Sequence, residues 1–378
     1  MLRDAVAAMP WLILAMSRLT NAACECGYSV NKTSDASYQI YTELLENDFI
    51  HTQTDNMTSI GWIAQEYNQS KEAGRGYYGK EFLPENVESN AVKNASAWSG
   101  ESDHGGDPGL QLWTRSDNSS GWVGSAELVS MRNDARFGSY RIAMKLSNQT
   151  GTCGAFFWYY NNSREIDMEF RSMEFNSSQG AVNYVLQTPE SVAAGYDAAN
   201  TSEFKVQHLD FRPDDLFHEY RWDWTTEKIS YYVDGQWQYD MTEQVPQEGG
   251  SLHINHWSNG NPLWSAGPPV SDALLTVSYV KAYFNSTDTS KTDAYNQRCP
   301  GFNATAVCAI PAQTSPPDAS QGTDGAKTYF FSQDGDDHTP GQTTYATTNG
   351  AMGAFASSTS LFTYLPLLLA LLSWTFAL

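Results

Sequence analysis

The chain has 378 residues, 43 Asp plus Glu against 22 Lys plus Arg, and a formal net charge of −21. That length allows one large domain or two ordinary ones, and the shortage of cations excludes a phosphate backbone, an anionic membrane surface or a polyanionic polysaccharide as partner. Hydrophobic residues at 41% exclude a wholly disordered chain, and 13% aromatics (12 Trp, 21 Tyr, 17 Phe) suit a protein that stacks rings on something neutral and flat.

Residues 1–22 open with Arg3, run apolar through Ala5–Met16 and reach the small residues Ala22 and Ala23, which predicts a secretory signal peptide. Eleven N-x-S/T sequons support export: Asn31, Asn56, Asn68, Asn94, Asn118, Asn148, Asn161, Asn176, Asn200, Asn285 and Asn303. Composition of this kind places the folded domain at residues 23–310. Within it, five cysteines make an odd number for an oxidising compartment. Cys299 and Cys308 flank a Pro-Gly loop that they can close, and Cys24 or Cys26 can reach Cys153. Several pairings stay open, and one thiol is left over. Nothing places a His beside any of the five, which argues against a catalytic cysteine.

Between Gly27 and Ala309 short strand-like runs are broken by Gly, Asn, Asp and Pro. Tyr41–Glu46 reads as a weak helix. Tyr140–Leu146 alternates polar and apolar residues, Ala155–Tyr160 is an aromatic run, and Phe217–Trp224 and Lys228–Val233 alternate again. Asp234-Gly235 is a tight hairpin signal, and Leu274–Phe284 closes the span. This density of strands predicts an all-β fold, a large antiparallel sandwich or jelly roll. Residues 311–349, rich in Ser, Thr, Gly, Pro and Asp, read as a disordered stalk. Asp334-Gly335-Asp336-Asp337 within it looks calcium-like but lacks a downstream bidentate Glu, so it reads as linker. Residues 350–378 read as a removable glycolipid-anchor signal: small residues at Asn349-Gly350-Ala351, a spacer over Met352–Ser360 and the uncharged tail Leu361–Leu378. With no Lys or Arg beyond Lys327, a membrane-spanning helix would lack its basic flank.

The chemistry concentrates in Ser163–Arg171. On a strand, Glu165, Asp167 and Glu169 face one way while Ile166, Met168 and Phe170 face the other. Three like charges in a row gain nothing structurally. Glycoside hydrolysis, in contrast, needs one ionised carboxylate and one protonated acid, and crowding separates their pKa values. Residues i and i+4 on a flat strand lie about 13 Å apart, whereas a retaining enzyme holds its carboxyls about 5–5.5 Å apart. The motif therefore predicts a concave sheet.

Glu165-Ile166-Asp167-Met168-Glu169-Phe170 resembles the signature of glycoside hydrolase family 16, the laminarinase, lichenase and transglycosylase group. Phe137–Arg141 with Met144-Lys145, Gly154–Trp158, Phe217–Tyr220 with Trp224 through Gly235, and Asn255-His256-Trp257 match in order. Cys24–Tyr28 and the runs Trp257–Pro262 and Trp264–Pro268 resemble its fungal, wall-associated branch. The resemblance implies a β-jelly roll and a retaining double displacement, with Glu165 as nucleophile, Glu169 as acid/base and Asp167 as helper. It implies Asn255 and Trp257 as substrate-cleft residues, and leaves Trp158, Trp264 and Arg141 open between the cleft and a plainer role: core for Trp158, a loop brace for Trp264 and pairing with local acids for Arg141. His218, His253 and His256 are spaced for structural roles, and no metal-ligand set is evident; the family's structural calcium would have ligands this sequence does not name. The expected partner is neutral β-glucan, with a chitin acceptor if the enzyme is a wall-remodelling transglycosylase, and no nucleic acid. The protein is expected to be a monomer at the cell surface or wall, meeting the membrane only through its anchor. The rival from another class is a non-catalytic β-glucan-binding wall glycoprotein.

Overall fold

The computed structural model describes residues 24–333, apart from 196, 197 and 200. The predicted signal peptide, the anchor signal, the Asp334–Asp337 cluster and the Asn200 sequon lie outside the described residues. None of the other sequon asparagines is buried.

Two stacked sheets make the fold. The first has nine strands in the order Phe204–Leu209, Gly180–Gln187, Arg164–Arg171, Cys153–Asn161, Ser251–Trp257, Trp122–Ser130, Gly79–Phe82 and Tyr67–Gln69, with Trp62–Ala64 beside Trp122–Ser130. The second has eight: Gln236–Met241, Ile229–Val233, His218–Trp224, Ala135–Lys145, Ala273–Ser286, Gly109–Thr114 and Val87–Asn90, with Glu43–Asp48 added against Ala273–Ser286. Within these sheets only Gly79–Phe82 and Trp122–Ser130 run parallel. This is the antiparallel sandwich of the jelly-roll class that the sequence predicted.

Aromatic side chains interlock between the sheets. Phe170 meets Tyr220 at 4.5 Å, Phe156 meets Trp222 at 4.6 Å, and Tyr184 stacks on Tyr231 at 4.1 Å. Each such burial contributes about 1.5–3 kcal/mol. A one-residue slip of Arg164–Arg171 would exchange Ile166, Met168 and Phe170 for three acids in this layer, so the core fixes the register. Trp158 belongs here too. It pairs with Ile166, shares its face, packs 4.7 Å from Trp224, and donates from Nε1 to the Ala135 carbonyl at 2.8 Å. The expected cleft role for Trp158 is therefore corrected: strand alternation points it into the core. His256 is likewise a core residue, bonded through Nδ1 to the Leu112 carbonyl at 2.9 Å, and burial lowers its pKa to about 4.

The Asp234-Gly235 hairpin forms as predicted. Both residues adopt positive φ (46° and 74°), as a tight turn matched to strand twist requires. Tyr41–Glu46 is not helical. Glu43–Asp48 is a strand, and every residue in it is buried. Its outer face is covered as well as its inner one, which erased the alternation that reveals a strand. The helix Thr289–Arg298 escaped notice for the opposite reason: it buries no residue, so it carries no apolar period, and the Asp288 cap is its main signal.

The covering comes from residues 310–333, all but the first of them in the segment read as stalk. Ile310, Ala319, Ala326, Phe330 and Phe331 are buried against the outer face of the eight-stranded sheet. The segment also satisfies buried polar groups. Lys281 Nζ donates to Thr328 Oγ1 at 2.5 Å and to the Tyr329 carbonyl at 2.6 Å, and Ser332 N donates to Glu46 Oε2 at 2.9 Å. Arg141 lies on this face, donating from Nη1 to the Pro311 carbonyl at 2.8 Å. The cleft role expected of Arg141 is thus corrected as well, because its strand is in the other sheet.

Disulfides join Cys24 to Cys308 and Cys26 to Cys299, tying the first described residues to the segment that precedes residues 310–333. Cys299 and Cys308 do not pair with each other, and Cys153 is reached by neither N-terminal cysteine; it is free and buried. Among the described residues no helix is long and apolar enough to cross a membrane, and no group of three His, Cys, Asp or Glu is arranged to hold a metal ion.

Candidate active site

Strand register sets out the exposed face of the nine-stranded sheet in rows. Glu169 lies in a row with Asn183, Ala155, Asn255 and Glu127. Asp167 shares its row with Val185, Phe157, His253 and Val129, and Glu165 with Gln187, Tyr159 and Ser251. Arg171, Cys153 and Trp257 form the row beyond Glu169. The three predicted acids therefore share one face, with Asn255 and Trp257 two strands away. Ala155, the smallest side chain of its row, leaves room between Glu169 and Asn255. The Oδ1 of Asn255 is buried with no hydrogen-bond partner.

The acids are crowded and poorly solvated. Burial pushes Glu165 up to about 7, assisted by the charges of Glu169 and Glu127 and opposed by a hydrogen bond from Asp167. Burial, with the charges of Glu165 and Glu169, drives Asp167 well above the ordinary carboxyl range. No donor reaches its buried Oδ2. An unsatisfied buried oxygen is a poor home for charge, so Asp167 holds the proton and presents it to Glu165. That arrangement makes Glu165 the partner that ionises as pH rises through about 7. Glu169 is raised by burial, against which Trp264, Cys153, Lys80 and Arg171 all pull.

Trp264 reaches this site from the segment after Ser251–Trp257. Its Nε1 donates to Glu169 Oε2 at 2.5 Å, and the Arg171 guanidinium lies 4.8 Å from the ring centroid. Asn259 anchors that segment, donating from Nδ2 to the Gly74 carbonyl at 2.7 Å and accepting from Ser265 Oγ at 3.1 Å. Gly76 is required where these loops meet, since a Cβ there would sit 2.4 Å from the Asn259 carbonyl oxygen. From the same loop Arg75 donates to the carbonyl of Gly195, in the segment after Gly180–Gln187, the strand paired with the acid strand. The two loops thus join each other.

Several residues of the face escaped sequence reading. Glu127 accepts from Tyr67 OH at 2.9 Å and bonds His253 Nδ1 at 3.0 Å; the His253 ring stacks on Phe157 at 4.6 Å. Lys80 Nζ sits 3.9 Å from the centroid of the Trp257 ring. Cys153 Sγ lies 3.2 Å from Glu169 Oε2. The only signal available for Cys153 and Glu127 was their position within alternating runs, which becomes informative once the strand pairing is known.

The family model for glycosyl hydrolases family 16 matches residues 89–280, just over half of the chain. The chain belongs to glycosyl hydrolase family 16. The family 16 segment contains the acid strand and the four other strands that form the rows, whereas Tyr67 and Lys80 precede it. Among curated family relatives, a β-glucanase of Bacillus licheniformis is 30% identical over 157 residues, covering 38% of this chain and 58% of that protein. The chain spans about half the length of the curated relatives it matches. A solved β-1,3-1,4-glucanase (lichenase) from a mouse hindgut metagenome aligns with a TM-score of 0.47 at 19% identity, covering 64% of this chain and 98% of that one. The Crh5 transglycosylase aligns with a TM-score of 0.43 at 14% identity, covering 68% and 87%.

Proposed function

We propose that this protein is a retaining, endo-acting glycosidase of neutral β-glucan, either β-1,3 or mixed β-1,3/1,4, with Glu165 as nucleophile. The observation that carries this reading is the Glu165–Asp167–Glu169 face, three acids on one side of one strand, each pushed up by burial. In the first step a Glu165 oxygen bonds the anomeric carbon as the glycosidic C–O bond breaks, and Glu169 gives its proton to the departing oxygen. In the second, Glu169 takes a proton from water or a sugar hydroxyl, whose oxygen bonds the anomeric carbon as the bond to Glu165 breaks. Rings at Tyr67, Phe157, Tyr159 and Trp257 suit a neutral sugar chain, and Asn255 Oδ1 offers an unfilled acceptor to a sugar hydroxyl.

Transfer to a glucan or chitin acceptor is the second reading. It is supported by the resemblance of Cys24–Tyr28, Trp257–Pro262 and Trp264–Pro268 to the family's wall-associated branch and by the anchor-like C-terminal tail. The signal-peptide pattern, the sequons and the C-terminal tail support a secreted wall glycoprotein held by a lipid anchor. Incubating the purified protein with β-1,3-glucan, mixed-linkage glucan and labelled chitin oligosaccharides separates these cases. Shorter products indicate hydrolysis and labelled hybrids indicate transfer; Glu165→Gln abolishes both. Binding without products, or full turnover in Glu165→Gln, would refute the catalytic assignment.

A further inference from the structure

Cys153 is the free cysteine of the described residues, it is buried, and the double displacement above gives it no part. Its place is nevertheless informative. Both Cys153 Sγ, at 3.2 Å, and Trp264 Nε1, at 2.5 Å, converge on the same oxygen of Glu169, Oε2. Burial, and then the adjacent Glu169 charge, push the Cys153 thiol well above its ordinary value, so it keeps its proton and acts as a donor. The alternative acceptor for that proton, the Gly154 carbonyl, is 4.0 Å away and uncharged. Glu169 Oε1 receives no hydrogen bond from the described residues.

We propose that Cys153 and Trp264 are positioning residues that reserve Oε2 of Glu169 as a permanent acceptor, so that proton exchange with the leaving and incoming oxygens runs through Oε1 alone. The inference rests on Glu169 being the acid/base. A carboxyl group with two equivalent oxygens would carry its proton on either one and donate productively from only one; two donors on Oε2 make its protonation there costly. The groups facing Glu169 come from four elements. Lys80 approaches from Gly79–Phe82, Cys153 from its paired strand, Arg171 and the other two acids from its own strand, and Trp264 from the loop after Ser251–Trp257. Among these, Cys153 is the one whose donor can be kept, as Ser, or removed, as Ala, by changing a single heavy atom.

The test compares native protein, Cys153→Ser, Cys153→Ala and Trp264→Phe through the alkaline limb of kcat/KM on β-glucan, with thermal melting as the check on folding. Losing a donor to the carboxylate raises the Glu169 pKa, so Cys153→Ala moves the limb up by about half a pH unit and Trp264→Phe by about one. Cys153→Ser, whose hydroxyl still donates, keeps the native limb. In parallel, 13C NMR titration of carboxyl-labelled glutamates, assigned with Glu169→Gln, follows the same shift in a Glu165→Gln background without any turnover. An unmoved Glu169 titration in Cys153→Ala, or an equal shift in Cys153→Ser, overturns the proposal. Absence of turnover by native protein refutes the function reading instead, and the titration still decides the role of Cys153.

Discussion

The outer faces of the two sheets are both rich in charge, yet they are built on opposite rules. On the eight-stranded sheet acids and bases are mixed: Glu46 lies beside Lys281, which lies beside Arg141 and then Arg221, and Arg221 holds Asp223 through Nε at 2.8 Å. Most of these groups have partners; Tyr283 OH donates to Glu46 Oε1 and Tyr279 OH to Glu219 Oε2, each at 2.6 Å, while Glu219 Oε1 is the exception. On the nine-stranded sheet three acids stand in one file, with an orphaned carboxyl oxygen of Asp167 and orphaned amide oxygens of Asn183 and Asn255 among them. Buried charge that is paired serves packing. Buried like charge left unsatisfied is retained at a cost in stability, and that cost marks the face as functional.

The largest test of this contrast is catalytic. Glu165→Gln is expected to lower turnover on β-glucan by on the order of 10^4-fold or more, while Glu46→Gln on the other sheet leaves it within about twofold, both read from reducing-end release. Melting should invert the ranking, because Glu165→Gln relieves crowding whereas Glu46→Gln weakens bonds to Tyr283 and Ser332. Next in size is the covering segment. Phe331→Ala empties a site against Tyr28 and Tyr283, which the ring approaches at 5.0 and 5.8 Å. It should cost about 3 kcal/mol in urea unfolding, with kcat unchanged; a loss of activity at full stability would show that the segment serves the site.

The two faces should also respond oppositely to pH. Glu165 is raised to about 7 by burial and its acidic neighbours, so between its unfolded value near 4.5 and about 7 the folded protein binds more protons than the unfolded one. Stability from the acid face is therefore greatest at the low end and falls as pH rises through that window. Asp223 behaves the other way. Burial pushes it up, but the charge and hydrogen bond of Arg221 outweigh that and hold it below the ordinary range. Its contribution is present above about pH 4 and fades as pH falls further. Urea midpoints at about pH 5 and about pH 7.5 should converge in a Glu165→Gln, Asp167→Asn variant; a decline as steep as that of the native protein would place its source elsewhere.

Much of the site was legible because strand alternation is a local rule. Glu165, Asp167 and Glu169 needed only the period of two to be placed on one face opposite Ile166, Met168 and Phe170, and the Asp234-Gly235 turn was equally local. Trp158 and Arg141 were misplaced where the same rule should have been applied through a neighbour: Trp158 pairs with Ile166, and Arg141 belongs to the other sheet. Lys80 and Tyr67 could not have been found, since their strands are short and join the sheet from its far edge. Residues 310–333 looked unable to pack because they hold few aliphatics, but their backbone carbonyls and amides answer charged side chains already on the sheet.

The sequence by itself determined the strand content, the facing of the acids and the chemistry those acids support, because each depends on residue type and spacing within one segment. Tertiary structure decided which cysteines join, which tryptophan is core and which grips Glu169, and that a Ser- and Thr-rich tail covers a charged sheet. Those outcomes depend on contacts between residues up to 284 positions apart, as in Cys24–Cys308. Such contacts form only after the core has fixed the strand register, and no local period encodes them.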